Sequence, residues 1–110
     1  KLLADRVREA VLDEFGFFNR GSKGRRSGRG STSLGASDYP TILTEPFFGD
    51  NTSDCAKVLN IGEEALARAY LIGARDAMEA FWADDSRNQC EKCGTRVTKP
   101  GPYVIPGDLR

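Results

Sequence analysis

Apolar residues recur at three- and four-residue steps through residues 1–15, at Leu3, Val7, Ala10, Val11 and Phe15, while Asp5, Arg6, Arg8, Glu9 and Asp13 fall on the other side. That period predicts an amphipathic helix. Gly16 supplies its stop, and no residue before it is suited to cap its start. A second helical pattern runs from about Gly62 to Trp82. Its apolar stripe is Ala65, Leu66, Ala69, Tyr70, Gly73, Ala77, Ala80 and Phe81, opposite Glu64, Arg68, Arg75 and Glu79. Gly73 costs about 1 kcal/mol against alanine inside a helix, so the position calls for a close neighbour, here expected to be a strand.

Between these helices the pattern shortens. Phe17-Phe18 could open a short strand. Thr41-Ile42-Leu43-Thr44 follows Pro40 and is largely β-branched, which suits a strand. Pro40 fits a first strand position, and Glu45-Pro46 ends the run, because a residue before proline is kept from the α region. Asp50-Asn51-Thr52-Ser53-Asp54 is dense in helix-capping residues, and a short helical turn through Cys55, Val58 and Leu59 is expected after it. From Asp84 onward, Gly94, Pro100, Gly101, Pro102, Pro106 and Gly107 break any long element. The resulting expectation is an α/β fold. A partial mixed sheet is flanked by helices over residues 1–83, and an extended tail rich in proline, glycine and cysteine covers 84–110. So little strand leaves sheet edges to be covered from elsewhere.

Sixteen basic and sixteen acidic residues cancel over 110 residues, so net charge names no partner. The distribution says more. Arg20, Lys23, Arg25, Arg26 and Arg29 lie in a Gly/Ser-rich run without an acid, which makes residues 20–30 +5 and the remainder −5. Such a run is a solvated loop or a contact for an anionic polymer. Arginine among glycine and serine can bind nucleic acid through phosphates, but aromatic residues are missing from the run after Phe18, which argues against that reading. No segment approaches the roughly 18 apolar residues that span a bilayer, so no membrane partner is expected.

Two places could carry chemistry. Glu45 stands at the end of an apolar strand beside Phe47 and Phe48, where surroundings of low polarity would suit a general base. The alternative is a structural salt bridge with Arg20 or Lys23. Cys90-Glu91-Lys92-Cys93-Gly94 has the spacing of half a structural zinc site. With three cysteines and no histidine in the chain, Cys55 could add one further ligand. Completion by another chain, a local disulfide between Cys90 and Cys93, and free thiols all remain open.

The order of the short motifs resembles the zinc-dependent N-acetylmuramoyl-L-alanine amidases, the amidase type 3 family. Leu3-Ala4 and its helix resemble the family's helix that begins with a Leu-Ala pair. Asn19-Arg20-Gly21-Ser22-Lys23 resembles Asn-Arg-Gly-x-Lys, and Tyr39-Pro40-Thr41-Ile42-Leu43-Thr44-Glu45 resembles Met-Pro-Ala-Val-Leu-Val-Glu. Phe48-Gly49-Asp50-Asn51, with Asp54 after it, resembles Phe-Ile-Ser-Asn and its following acid. The helix from Glu63 to Phe81 stands where the family has its last helix. The resemblance covers residues 1–82 and implies the C-terminal portion of an amidase domain. It makes Glu45 the catalytic glutamate and Arg20 a substrate-binding candidate. The glutamate would take a proton from a Zn2+-bound water that attacks the amide between N-acetylmuramic acid and L-alanine of the stem peptide, then pass it to the leaving amine.

The departures from the family shape the expectation further. The family's zinc is held by two histidines and a glutamate located before this region, and this chain has none of those positions. The resemblance therefore implies peptidoglycan as substrate, and an upstream half or companion chain as the source of the metal donors. The chain alone would be inactive. Pro46-Phe47 replaces the usual residue-Gly pair, which fits a divergent, phage-like branch. The implied setting is the cell wall, the extracellular space or a phage particle. The competing readings are an inactive structural component of a phage-like assembly and an Arg/Gly-loop nucleic-acid-binding module.

Overall fold

The computed structural model describes residues 1–24, 27–84, 94 and 101–103. Four helices follow one another: α1 (Leu2–Phe15), α2 (Ser31–Leu34), α3 (Thr52–Ile61) and α4 (Glu63–Ala83). Among the described residues there is no β-strand. The expected α/β fold with a partial mixed sheet is thus corrected to an all-helical one.

The physical reason lies in what the two amphipathic helices do with their stripes. Val7, Val11 and Phe15 project from successive turns of α1 and are buried, and Ala65, Ala69, Gly73 and Ala77 do the same on α4. Bulky residues on one helix meet small ones on the other, so α1 and α4 cover each other and leave no apolar face for a sheet. Gly73 marks a close approach between them. A Cβ there would lie 2.4 Å from Val7 Cα and 2.8 Å from Arg6 O. The close neighbour expected from the sequence exists, but it is the backbone of a helix.

Helix ends follow local chemistry. Gly16 closes α1 in the left-handed region (φ 66°), its N–H donating to Leu12 O at 2.7 Å. No side chain caps α1 at Lys1. Asn51 caps α3, its side chain accepting from the N–H of Asp54 at 3.0 Å. Gly62 separates α3 from α4 with φ 98°, a conformation that other residues rarely adopt. The four-residue α2 follows directly on the basic run of residues 20–30. It is held by Ser31 Oγ donating to Gly28 O at 2.7 Å.

The two segments expected as strands behave differently from one another. Phe17 is buried between Phe15, with ring centroids 4.8 Å apart, and Phe47 at 5.5 Å. It extends the core instead of opening a strand. Residues 40–48 run without regular structure; Ile42 and Phe47 lean on the core, while Thr41, Leu43, Thr44 and Glu45 are exposed. A strand needs a ladder partner, and no described residue supplies one. The tail expected over 84–110 lies largely outside the described residues. Tyr103 is described, and its hydroxyl accepts from the Trp82 indole N–H at 2.8 Å, at the end of α4. No described helix is long and apolar enough to cross a membrane.

Candidate functional site

The segment after the 40–48 run is fastened by polar contacts in sequence order. The N–H of Asn51 donates to Phe48 O at 3.1 Å, turning the chain into α3. The thiol of Cys55 donates to Gly49 O at 3.4 Å and reaches Phe48 O at 3.7 Å. Asp54, only 4% exposed, is the buried charged residue of the described core. It accepts from the N–H of Phe18 at 3.4 Å and pairs with Lys57 Nζ at 3.5 Å. Lys57 in turn donates to Gly16 O at 2.7 Å. A buried carboxylate needs such partners, and here one comes from the turn that leaves α1 and the other from Lys57 on α3 itself. Asp54 and Lys57, one helical turn apart, latch the start of α3 onto residues 16–18.

That latch aligns two Phe-Phe pairs. Phe17 and Phe47 face inward and touch each other. Phe18 and Phe48 face outward, 74% and 50% exposed. The guanidinium of Arg20 lies 4.1 Å from the centroid of the Phe48 ring, a cation–π contact. The Asn-Arg-Gly-Ser-Lys segment is itself ordered. Asn19 Oδ1 accepts from the N–H of Gly21 at 2.9 Å, and Arg8 Nη1 donates to Ser22 Oγ at 3.0 Å. Residues 19–23 are therefore tied to α1 on one side and reach residue 48 on the other.

Glu45 is exposed and makes no ion pair among the described residues. Both sequence expectations for its surroundings are corrected. It is not set among apolar neighbours at a strand end, because there is no strand to carry it inward. It is not in a salt bridge with Arg20 or Lys23; the Arg20 guanidinium lies over the Phe48 ring instead. A shallow hollow between α1 and α4, lined by Ala10, Asp13, Glu14, Arg68, Ala69 and Ile72, contains neither Glu45 nor Arg20. Glu14 and Arg68 pair across it at 3.7 Å.

The described residues do not fit a resident zinc ion. No group of three or more His, Cys, Asp or Glu side chains among them is placed to hold a metal. Cys55 stands alone with its two carbonyl acceptors. Cys90 and Cys93 lie outside the described residues.

Two signals for the latch stand in the sequence: the Asn51–Asp54 spacing, which capping alone also explains, and Lys57 three residues beyond the acid. Nothing local in the sequence announces that Phe48 receives Arg20, since the pair is separated by most of the Gly/Ser/Arg run. In the comparisons with known proteins, no family model, no curated protein and no solved structure matches this chain.

Proposed function

We propose that the chain contributes the general-base carboxylate, Glu45, of a peptidoglycan amidase whose metal donors lie on other residues. The observation that carries the reading is the contact of Arg20 with Phe48 at 4.1 Å. It joins the two segments, 19–23 and 45–51, that the resemblance assigns to one active site. The carboxylate of Glu45, exposed and without an ion pair among the described residues, adds to it, since a proton acceptor must reach its substrate. In this role Glu45 takes a proton from the attacking water and delivers it to the leaving amine of L-alanine. Arg20 holds a substrate group nearby. Zinc and its donors are supplied by residues other than those described, and no step is assigned to them.

The test uses the protein as expressed from its natural reading frame, given zinc and purified cell wall. Release of stem peptides should fall by about 100-fold or more in Glu45→Gln, the usual scale for loss of a general base. Release at the unmodified rate sinks the assignment.

A second reading has its own observation. Glu45 stands apart from the hollow between α1 and α4, as expected of an inactive component of a larger, phage-like assembly. Metal analysis of the same protein separates the two. Stoichiometric zinc together with hydrolysis removes the structural reading.

A further inference from the structure

We propose that the chain pairs with a second copy of itself through α4, the two helices running antiparallel across the side that α1 leaves open. α4 is apolar over more of its circumference than one partner needs. At about 100° per residue, the positions from Ala69 round through Gly73, Tyr70, Ala74 and Met78 to Leu71 span roughly 200°, and Glu63 in the first turn is the one charge among them. A surface helix with a single partner needs a stripe about half as wide. α1 covers the line Ala65, Ala69, Gly73 and Ala77, while Leu66 and Tyr70 lean on the core. The remaining line is Ala67, Leu71, Ala74 and Met78, spaced by four, three and four residues as in the seam of a helix pair. Ala67 is exposed, Leu71 is 41% exposed, and Ala74 and Met78 are half-buried. Among the described helices only α1 and α3 pack on α4, and they leave Ala67 and Leu71 open.

The charges beside that line choose the occupant. Glu64 and Arg75 lie along one edge of it, about three turns apart, and are opposite in sign. Glu64 makes no ion pair among the described residues, and Arg75 rests on its neighbour Asp76 at 3.1 Å, an exposed pair worth little. A two-fold axis midway between them sets Glu64 of each copy against Arg75 of the other, which gives two equivalent ion pairs. The same axis falls, to within a residue, midway between Ala67 and Leu71. Leu71 of each copy therefore seats over Ala67 of the other, large on small, as between α1 and α4. A parallel pair in register would set Glu64 against Glu64. Arg68 lies farther round the helix and pairs with Glu14 of α1 at 3.7 Å, away from the seam. Pairing of this kind uses neither the carboxylate of Glu45 nor a metal. The seam is short against a standard interface, so the association is weak, with a dissociation constant of about 0.1 mM.

The experiment is sedimentation equilibrium of the 110-residue chain from about 5 μM to about 1 mM, a range over which monomer should pass to dimer. Leu71→Ala removes one seam residue from each copy, and the dissociation constant should rise about 10- to 100-fold. Glu64→Arg and Arg75→Glu should each abolish pairing alone, because like charges then meet twice. Mixed in equal amounts, the two variants should pair again, since every facing charge is then opposite. Glu64 and Leu71 are solvent-exposed, so their replacement spares the fold. Circular dichroism at low micromolar concentration, where the chain is monomeric, checks each variant. A chain that stays monomeric up to about 1 mM overturns the proposal. So does a dimer that ignores Leu71 or both charge reversals, or a mixture of the two reversed variants that stays monomeric.

Discussion

Replacing Gly73 with alanine tests the helix pairing on which the whole fold rests. In an isolated helix the change would stabilise by about 1 kcal/mol, since glycine carries that penalty. Here the added methyl carbon would sit 2.4 Å from Val7 Cα and 2.8 Å from Val7 N and Arg6 O. Carbon atoms pack comfortably at about 3.5–4.0 Å, so α1 and α4 must part locally by about 1 Å. The atoms met are backbone, so no rotamer change can clear them. Overpacking of this kind costs about 1–3 kcal/mol, and with no side chain able to yield, the upper half of that range applies.

Subtracting the propensity gain leaves a net loss of about 1–2 kcal/mol. For a folded unit of this size that lowers the melting temperature by roughly 4–16 °C. Urea unfolding followed by helical circular dichroism measures it. Ala67→Gly, on an exposed position of the same helix, reports the glycine penalty alone and should cost about 1 kcal/mol. Val7→Ala should not rescue Gly73→Ala, because the clash is with the Val7 backbone. A Gly73→Ala protein more stable than the parent would refute the close crossing of α1 and α4.

Two further substitutions probe the latch and the cap. Asp54→Ala leaves the Phe18 N–H and the Lys57 ammonium without their buried acceptor, and should cost about 1–3 kcal/mol by chemical denaturation; an unchanged midpoint would mean that the 16–18 turn is held by its aromatic contacts alone. Asn51→Ala removes the acceptor for the Asp54 N–H and should cost about 0.5–2 kcal/mol. Asn51→Ser should recover most of that, since a hydroxyl also caps.

Helix boundaries were legible because their causes are local. The period of Leu3, Val7, Val11 and Phe15 and the glycine at 16 define α1 within a residue, and the stripe from Ala65 to Ala77 does the same for α4. Asn51 announced the start of α3 in the same way. The segment 41–44 was misread because β-branched composition states a preference, and a strand is a pairwise object. Its backbone groups need a neighbour that none of the described residues provides, so the preference goes unrealised. The environment of Glu45 was misjudged with it.

The sequence by itself determined the extents of α1 and α4, which face of each would be apolar, and that position 73 would need a close neighbour. All of these follow from spacing along the chain. Tertiary structure alone decided that α1 is that neighbour, that Asp54 and Lys57 clasp the turn at 16–18, and that Phe48 meets Arg20. Those pairings join residues far apart in the chain, chosen by complementary size, charge and hydrogen bonding. A linear pattern carries no record of which complementary surfaces will meet.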